Sequence, residues 1–204
     1  MIRTRKTQAE YWNHNTAYHP WLASLAARHR GDVLDVGCGD GLLAQRLAPV
    51  SRSVLAIDPD GTAVRRARDR VGTARNVAVD QAAFDDCAAG SARFDLITFV
   101  ASLHHMELRD ALLKARRLLR PSGEIAVVGL SANRTVGDFL WSAACLPAVR
   151  IGSALHRETR DVGVLVAEPR ESLDDIRRVV DDVLPGAEIR RALYYRYLLR
   201  WSKP

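Results

Sequence analysis

The chain has 204 residues, 48% of them apolar and 26% charged, an ordinary globular composition that excludes disordered, collagen-like and disulfide-stapled architectures. That length suits one elaborated domain better than two. The net charge of +6 sits at the ends, +4 over residues 1–30, 0 over 31–130 and +2 over 131–204, so no basic stripe of the kind that binds nucleic acid is expected.

Residues 1–30 read as an N-terminal helical lid. Arg3, Arg5 and Lys6 make a solvated tip, and the aromatic- and His-rich stretch 8–30 predicts two short helices broken near Pro20. The main domain takes residues 31–204. Short apolar runs at 33–36, 54–57, 77–79, 94–99 and 125–130 have the length and branching of buried strands. Helical patterns fall between them at 42–48, 62–71 and 110–119, the last with Ala111, Leu112, Ala115, Leu118 and Leu119 on one stripe. Residues 131–170 read as an irregular insertion, and 171–184 as a helix ended by Pro185-Gly186. The tail, 187–203, alternates as a pair of strands. Its turn carries no signal, because Tyr194-Tyr195 contains neither Gly nor Asn.

Continuous apolar strands alternating with helices predict an α/β fold, a doubly wound parallel sheet in three layers, with ligands at the carboxyl ends of the strands. Cys38, Cys87 and Cys145 lack any C-x-x-C or zinc-type pairing, which predicts a reducing compartment. The N-terminus has charge but no apolar stretch behind it, and the longest apolar run, 139–149, is too short for a membrane span and contains Pro147. A cytoplasmic protein with no membrane partner is expected, as monomer or homodimer.

The most informative stretch is VLDVGCGDG at 33–41, a strand running into a glycine-rich turn and a helix. Gly37 and Gly39 allow the backbone to turn sharply and approach a ligand, and Gly41 allows close packing as the helix begins. Free N–H groups at that helix start favour an anion. A dinucleotide fold would bring a pyrophosphate to this turn, where Asp35 and Asp40 would repel it. A zwitterionic amino acid fits better, its ammonium on Asp35 and its carboxylate on the backbone N–H groups. The third glycine also falls one residue early for G-x-G-x-x-G. Asp58 ends the second strand, where a carboxylate accepts from both ribose hydroxyls, and Asp80 after the third strand is placed for an adenine amine, with Phe84 for packing. Amino acid, ribose and adenine together describe S-adenosylmethionine.

In order and spacing, DVLDVGCGDG, AIDPD, VDQAAF, FDLITFVASLHHM and LLRPSGEIAVVGL resemble the motifs of class I S-adenosylmethionine-dependent methyltransferases over about residues 31–130. The resemblance implies a Rossmann-like seven-stranded sheet with an antiparallel last strand, and S-adenosyl-L-homocysteine as product. It also implies a cofactor site of Asp35, Gly37, Cys38, Gly39, Asp40 and Gly41 for the methionine part. Asp58 and Pro59 would take the ribose, Asp80 and Gln81 the adenine, and Val100 and Ala101 would line the end of the fourth strand.

The segment SLHHM resembles that of sugar O-methyltransferases and quinone-type C-methyltransferases, in which a His of this loop serves as base. His104 and His105 are therefore the candidate catalytic residues, since imidazole titrates near neutrality and can take a hydroxyl proton as methyl moves. Some sugar-methylating relatives place an acid after the fifth strand, but here that loop reads GLSAN, with no carboxylate before Asp138. The candidate acceptor-binding residues are Tyr11, His14, Tyr18 and His19; on a helix the first three share a face. Residues 131–170 would shape the acceptor pocket. No metal site is expected, because the His residues form no H-x-x-x-H pair. No nucleic-acid partner is expected, because the Asn/Asp-Pro-Pro-aromatic and Pro-Cys signatures of base methylation are absent. The chain thus reads as a small-molecule methyltransferase acting on a hydroxyl oxygen, with carbon and nitrogen next. A catalytically inactive cofactor-binding scaffold and an NAD(P)-dependent oxidoreductase stay open as alternatives.

Overall fold

The computed structural model describes residues 11–87, 94–155 and 169–204; the tip at 3–6 and residues 156–168 of the predicted insertion lie outside the described residues. Seven strands, β1 (Asp32–Val36), β2 (Ser53–Asp58), β3 (Val77–Gln81), β4 (Phe94–Val100), β5 (Leu119–Gly129), β6 (Glu188–Ala192) and β7 (Arg196–Ser202), form one sheet in the order β3-β2-β1-β4-β5-β7-β6. Neighbours from β3 to β5 pair in parallel, while β7 runs antiparallel to both β5 and β6. The winding direction reverses between β1 and β4, so a crevice opens at their carboxyl ends.

Side chains alternate along each buried strand, and this builds two cores. On one face Leu34, Val36, Ile97, Phe99, Ile125 and Val127 meet α4 (Leu108–Leu118) and α6 (Leu173–Val183). On the other, Val33, Val54, Ala56, Leu96 and Ala126 meet α1 (His19–His29), α2 (Leu42–Leu47) and α3 (Gly61–Val71). Local chemistry sets the helix ends: Asp60 accepts from Thr62 N at 2.8 Å to start α3, and Ser172 and Asp175 form a reciprocal capping box on α6.

Three expectations change. Pro20 does not break a helix; it sits in the first turn of α1, where its missing N–H would have no helical partner. The chain before α1 is helical only over the single 3-10 turn Thr16–Tyr18; ahead of it Asn13 Oδ1 accepts from Asn15 N and Thr16 N, both at 3.0 Å, and folds residues 13–16 into a side-chain-closed turn. The supposed common face of Tyr11, His14 and Tyr18 therefore does not exist, and α1 itself packs into the core through Leu22, Leu25 and Ala26. Within residues 131–170, the stretch Val136–Leu155 is a 20-residue helix, α5, with Pro147 inside. It is apolar on nearly every side, so it lacks the polar face whose period marks an amphipathic helix.

The third change is the turn between β6 and β7. It falls on Leu193, Tyr194 and Tyr195, with Tyr194 at φ 59° and Tyr195 at φ 58°. Left-handed backbone costs an L residue about 1–2 kcal/mol, and aromatic packing offsets it. The Tyr194 ring stacks on His14, centroids 4.7 Å apart and 15° from parallel, with Trp12 and Tyr18 edge-on. Tyr18 also donates its hydroxyl to Leu193 O at 2.7 Å. The segment before α1 is thereby fastened to the far edge of the sheet.

Candidate active site

A cavity of about 550 Å³ occupies the crevice, lined by Asp35, residues 37–40, Asp58, Pro59, Val100, Ala101, His104 and His105, and roofed by Tyr11, His14 and His19. The glycine turn bends as its sequence requires. Gly37, Gly39 and Gly41 have φ of 72°, 55° and 78°, and a Cβ on Gly37 would stand 2.4 Å from that of Ser102. All but one of its N–H groups, that of Asp40, are committed inside the protein. Gly37 and Cys38 donate to Ile57 O, Gly39 to Asp58 Oδ2, Gly41 to Cys38 O and Leu42 to Asp40 Oδ1. The expected anion site of free N–H groups is therefore not present in that form. Asp58 accepts from Gly39 N and Asp60 N, both at 2.9 Å, and so ties the first two strand-end loops together. Each carboxylate oxygen has a second lone pair left for a ribose hydroxyl.

Asp35 shares the face of Val33 and is 2% exposed. Its Oδ1 accepts from Thr98 Oγ1 at 2.9 Å, across the register pair of β1 and β4. Its Oδ2 is buried with no partner among the described residues. Burial raises this carboxyl to about 7, against the opposing Thr98 hydrogen bond and with help from the nearby charge of Asp58. An unanswered buried carboxylate oxygen on a cavity wall fits a ligand cation.

Asp40 differs from expectation. Its Oδ2 pairs with buried Arg70 at 2.6 Å and its Oδ1 accepts from Tyr11 Oη at 3.0 Å, while Arg70 lies 5.6 Å over the Tyr11 ring. Its charge is thus answered within the protein, and the repulsion of a diphosphate rests on Asp35. Tyr11 acts as a latch on the glycine turn, its phenol pushed well above the ordinary tyrosine range by burial and by Asp40. Cys38 is a buried turn residue whose thiol is raised far above reactivity by burial.

Asp80 and Gln81 stand exposed at the end of β3, in register with Ile57 and Asp58 of β2 and outside the cavity lining. Gln81 reaches Pro59 O at 3.2 Å. Ala101 carries φ 52°, a left-handed L residue at the carboxyl end of β4, and turns the chain toward the cavity. Beyond it, Ser102 Oγ donates to Val36 O at 2.6 Å and anchors the short helical turn Leu103–His105 to β1. The two imidazoles lie 4.2 Å apart, tilted by 37°, both on the cavity wall. Asp138, the first acid after β5, is engaged by Arg191, Arg134 N and Thr135 N.

Of the predicted roof residues, His14 meets Ser153 Oγ at 3.1 Å and Tyr18 lies outside the cavity lining, bonded to the Leu193 carbonyl. Several lining residues had no sequence signal: Asn13, Asn15 and Thr16 are placed by the turn before α1, and Arg196 by its hydrogen bonds to Asn15 Oδ1, 181 residues away. Thr98, which bonds Asp35 from behind the cavity lining, did have one, as a hydroxyl inside the apolar run FDLITFV. Leu130 and Arg196 also line a second chamber of about 380 Å³ with Ser131, Asn133, Trp141, Tyr195 and Tyr197. Among the described residues no cluster of His, Cys, Asp or Glu could hold a metal ion.

Comparison with known proteins agrees with this geometry. A family model described as a methyltransferase domain matches residues 33–123. A ubiquinone biosynthesis O-methyltransferase of Xanthomonas oryzae pv. oryzae is 37% identical over 131 residues, 62% of this chain and 53% of its own length. The crystal structure of the N-methyltransferase NodS of Bradyrhizobium japonicum WM9 in complex with S-adenosyl-L-homocysteine has the same fold, with a TM-score of 0.64 at 19% identity, covering 94% of this chain and 89% of that one. An uncharacterized methyltransferase of Mycobacterium tuberculosis is 34% identical over 194 residues, 95% of this chain and 98% of its own. Kinship running through both chains almost from end to end settles the family: this chain belongs to the class I S-adenosylmethionine-dependent methyltransferases.

Proposed function

We propose that the protein methylates a hydroxyl oxygen of a small-molecule acceptor. The observation carrying this reading is that His104 and His105 share one cavity with Asp35 and the glycine turn. S-adenosylmethionine, when bound, supplies a methyl group on a positively charged sulfur. Asp35 holds the ammonium of its methionine part, Asp58 orients the ribose, and Asp80 and Gln81 lie at the strand end beside the ribose site. One of the paired imidazoles takes the hydroxyl proton, so that the acceptor oxygen carries electron density as it meets the methyl group. Tyr11, latched on Asp40, keeps water away from the glycine turn, and positioning in a closed pocket supplies much of the acceleration.

The acceptor body extends through Leu130 and Arg196 into the second chamber, whose rings suit a planar phenol. The name of the ubiquinone-pathway relatives supports oxygen as the receiving atom. The three cysteines are free, which supports a reducing, cytoplasmic setting. No helix among the described residues is long and apolar enough to cross a membrane.

The test is production of S-adenosylhomocysteine from S-adenosylmethionine against a panel of catechols and hydroxybenzoates, with the product's methyl position read by mass spectrometry and NMR. Removing the working imidazole, His104→Ala or His105→Ala, is expected to lower turnover by about 10²–10⁴-fold while leaving S-adenosylhomocysteine affinity intact. Wild-type turnover in both variants, or methyl found on carbon or nitrogen, overturns the assignment.

A further inference from the structure

The turn that was expected to hold the ligand's carboxylate uses its own N–H groups. Five of the six from Gly37 to Leu42 bond within the protein. Asp35 answers the ammonium of an amino acid, but the carboxylate one carbon away needs a donor from another element, and α1 supplies one. His19, the first residue of α1, is 5% exposed and lines the cavity together with the glycine turn. Its Nδ1 lies 3.2 Å from Arg46 Nη1 of α2. A guanidinium can only donate, so Nδ1 carries the lone pair and a neutral ring has its single proton on Nε2. Burial, aided by the charge of Arg46, pulls the ring down to about 3, so it is neutral throughout the working range. Nε2 makes no hydrogen bond among the described residues, and the ring stands in the cavity wall.

We propose that His19 binds the carboxylate of the methionine part of S-adenosylmethionine, donating from Nε2–H, with Arg46 fixing the tautomer from behind. The methionine part is then read at both ends, its ammonium by Asp35 and its carboxylate by His19. Arg46 withdraws electron density through the ring and strengthens the donor toward an anion. The assignment concerns the cofactor alone and holds whatever the acceptor is.

Titration calorimetry with two probes tests it: S-adenosylhomocysteine, and its decarboxylated analogue S-adenosyl-3-thiopropylamine, which keeps the ammonium. His19→Phe keeps the ring's bulk without the donor. It is expected to weaken S-adenosylhomocysteine by about 10–100-fold, the range of a hydrogen bond to a charged group, and the analogue by less than about 3-fold. His19→Gln, which restores an N–H, recovers part of the loss. Equal weakening of both probes marks a structural role and overturns the proposal, as does unchanged S-adenosylhomocysteine affinity. Should His19→Phe fail to fold, Arg46→Met carries the same contrast: loss confined to the carboxylate-bearing probe supports the proposal, and no loss or equal loss refutes it.

Discussion

Replacing Asp35 with Asn should make the protein more stable and a poorer binder of its cofactor at the same time. The carboxyl has an ordinary value of 3.8 and is raised to about 7 in the folded chain, chiefly by burial. The folded state therefore binds more protons than the unfolded state between those values, and stability falls as pH rises through that window. Above pH 7 the full penalty applies, about 4 kcal/mol at 1.36 kcal/mol per pH unit. Asn removes it, keeps an oxygen for Thr98, and leaves an amide group unbonded at a cost of about 1–3 kcal/mol. The net gain of about 1–3 kcal/mol raises the ligand-free Tm by about 2–12 °C for a chain of this size. S-adenosylhomocysteine loses a charged partner and should bind about 10–150-fold more weakly. Differential scanning fluorimetry with and without ligand, and calorimetry at pH 6, 7 and 8, read both effects. Wild-type affinity should rise with pH below 7, as the carboxylate deprotonates to meet the ammonium, and the variant's dependence should be flatter. A lower ligand-free Tm together with unchanged affinity would refute an unanswered carboxylate held for a ligand cation.

Gly37→Ala places a methyl group at φ 72° against Ser102; the expected outcome is a loss of at least about 1–3 kcal/mol, seen as a lower Tm and weakened S-adenosylhomocysteine binding in the same titration. Tyr11→Phe removes one hydrogen bond to Asp40 and retains the ring beneath Arg70, so cofactor affinity should drop by several-fold while the Tm moves by no more than about 3 °C. The two turn tyrosines should respond oppositely to glycine. Tyr195→Gly relieves left-handed strain at a partly exposed ring and leaves the Tm unchanged or slightly raised, whereas Tyr194→Gly also loses the stack on His14 and should lower it by several degrees. Equal shifts in the two variants would contradict the role given to the stack.

What was legible in the chain is what depends on near neighbours. The strands at 33–36, 54–57 and 94–99 announced themselves as runs of branched apolar residues, and the glycine turn follows its strand directly. Asp35 and Asp58 were legible because each sits at a fixed distance from a strand end. Helix α5 was hidden because an all-round apolar helix has no period to read. The Tyr194-Tyr195 turn was hidden because its left-handed backbone is supported by Trp12, His14 and Tyr18, rings brought from the other end of the chain rather than by the turn's own residues.

The same distinction explains the site's one chemical surprise. A glycine-rich turn reads in sequence as a cradle of free N–H groups, but a turn that tight closes on itself. Gly37 and Cys38 share the Ile57 carbonyl, and Asp58 and Asp40 take the N–H groups of Gly39 and Leu42. Those bonds make the turn rigid, and rigidity fixes the open side on which Asp35 presents its unbonded oxygen. They also leave the turn only one N–H, that of Asp40, to offer the rest of an amino acid. Other donors on the cavity wall come from α1 and the segment before it, from the end of β4 and from Arg196, so the cavity is completed by residues well outside the glycine motif.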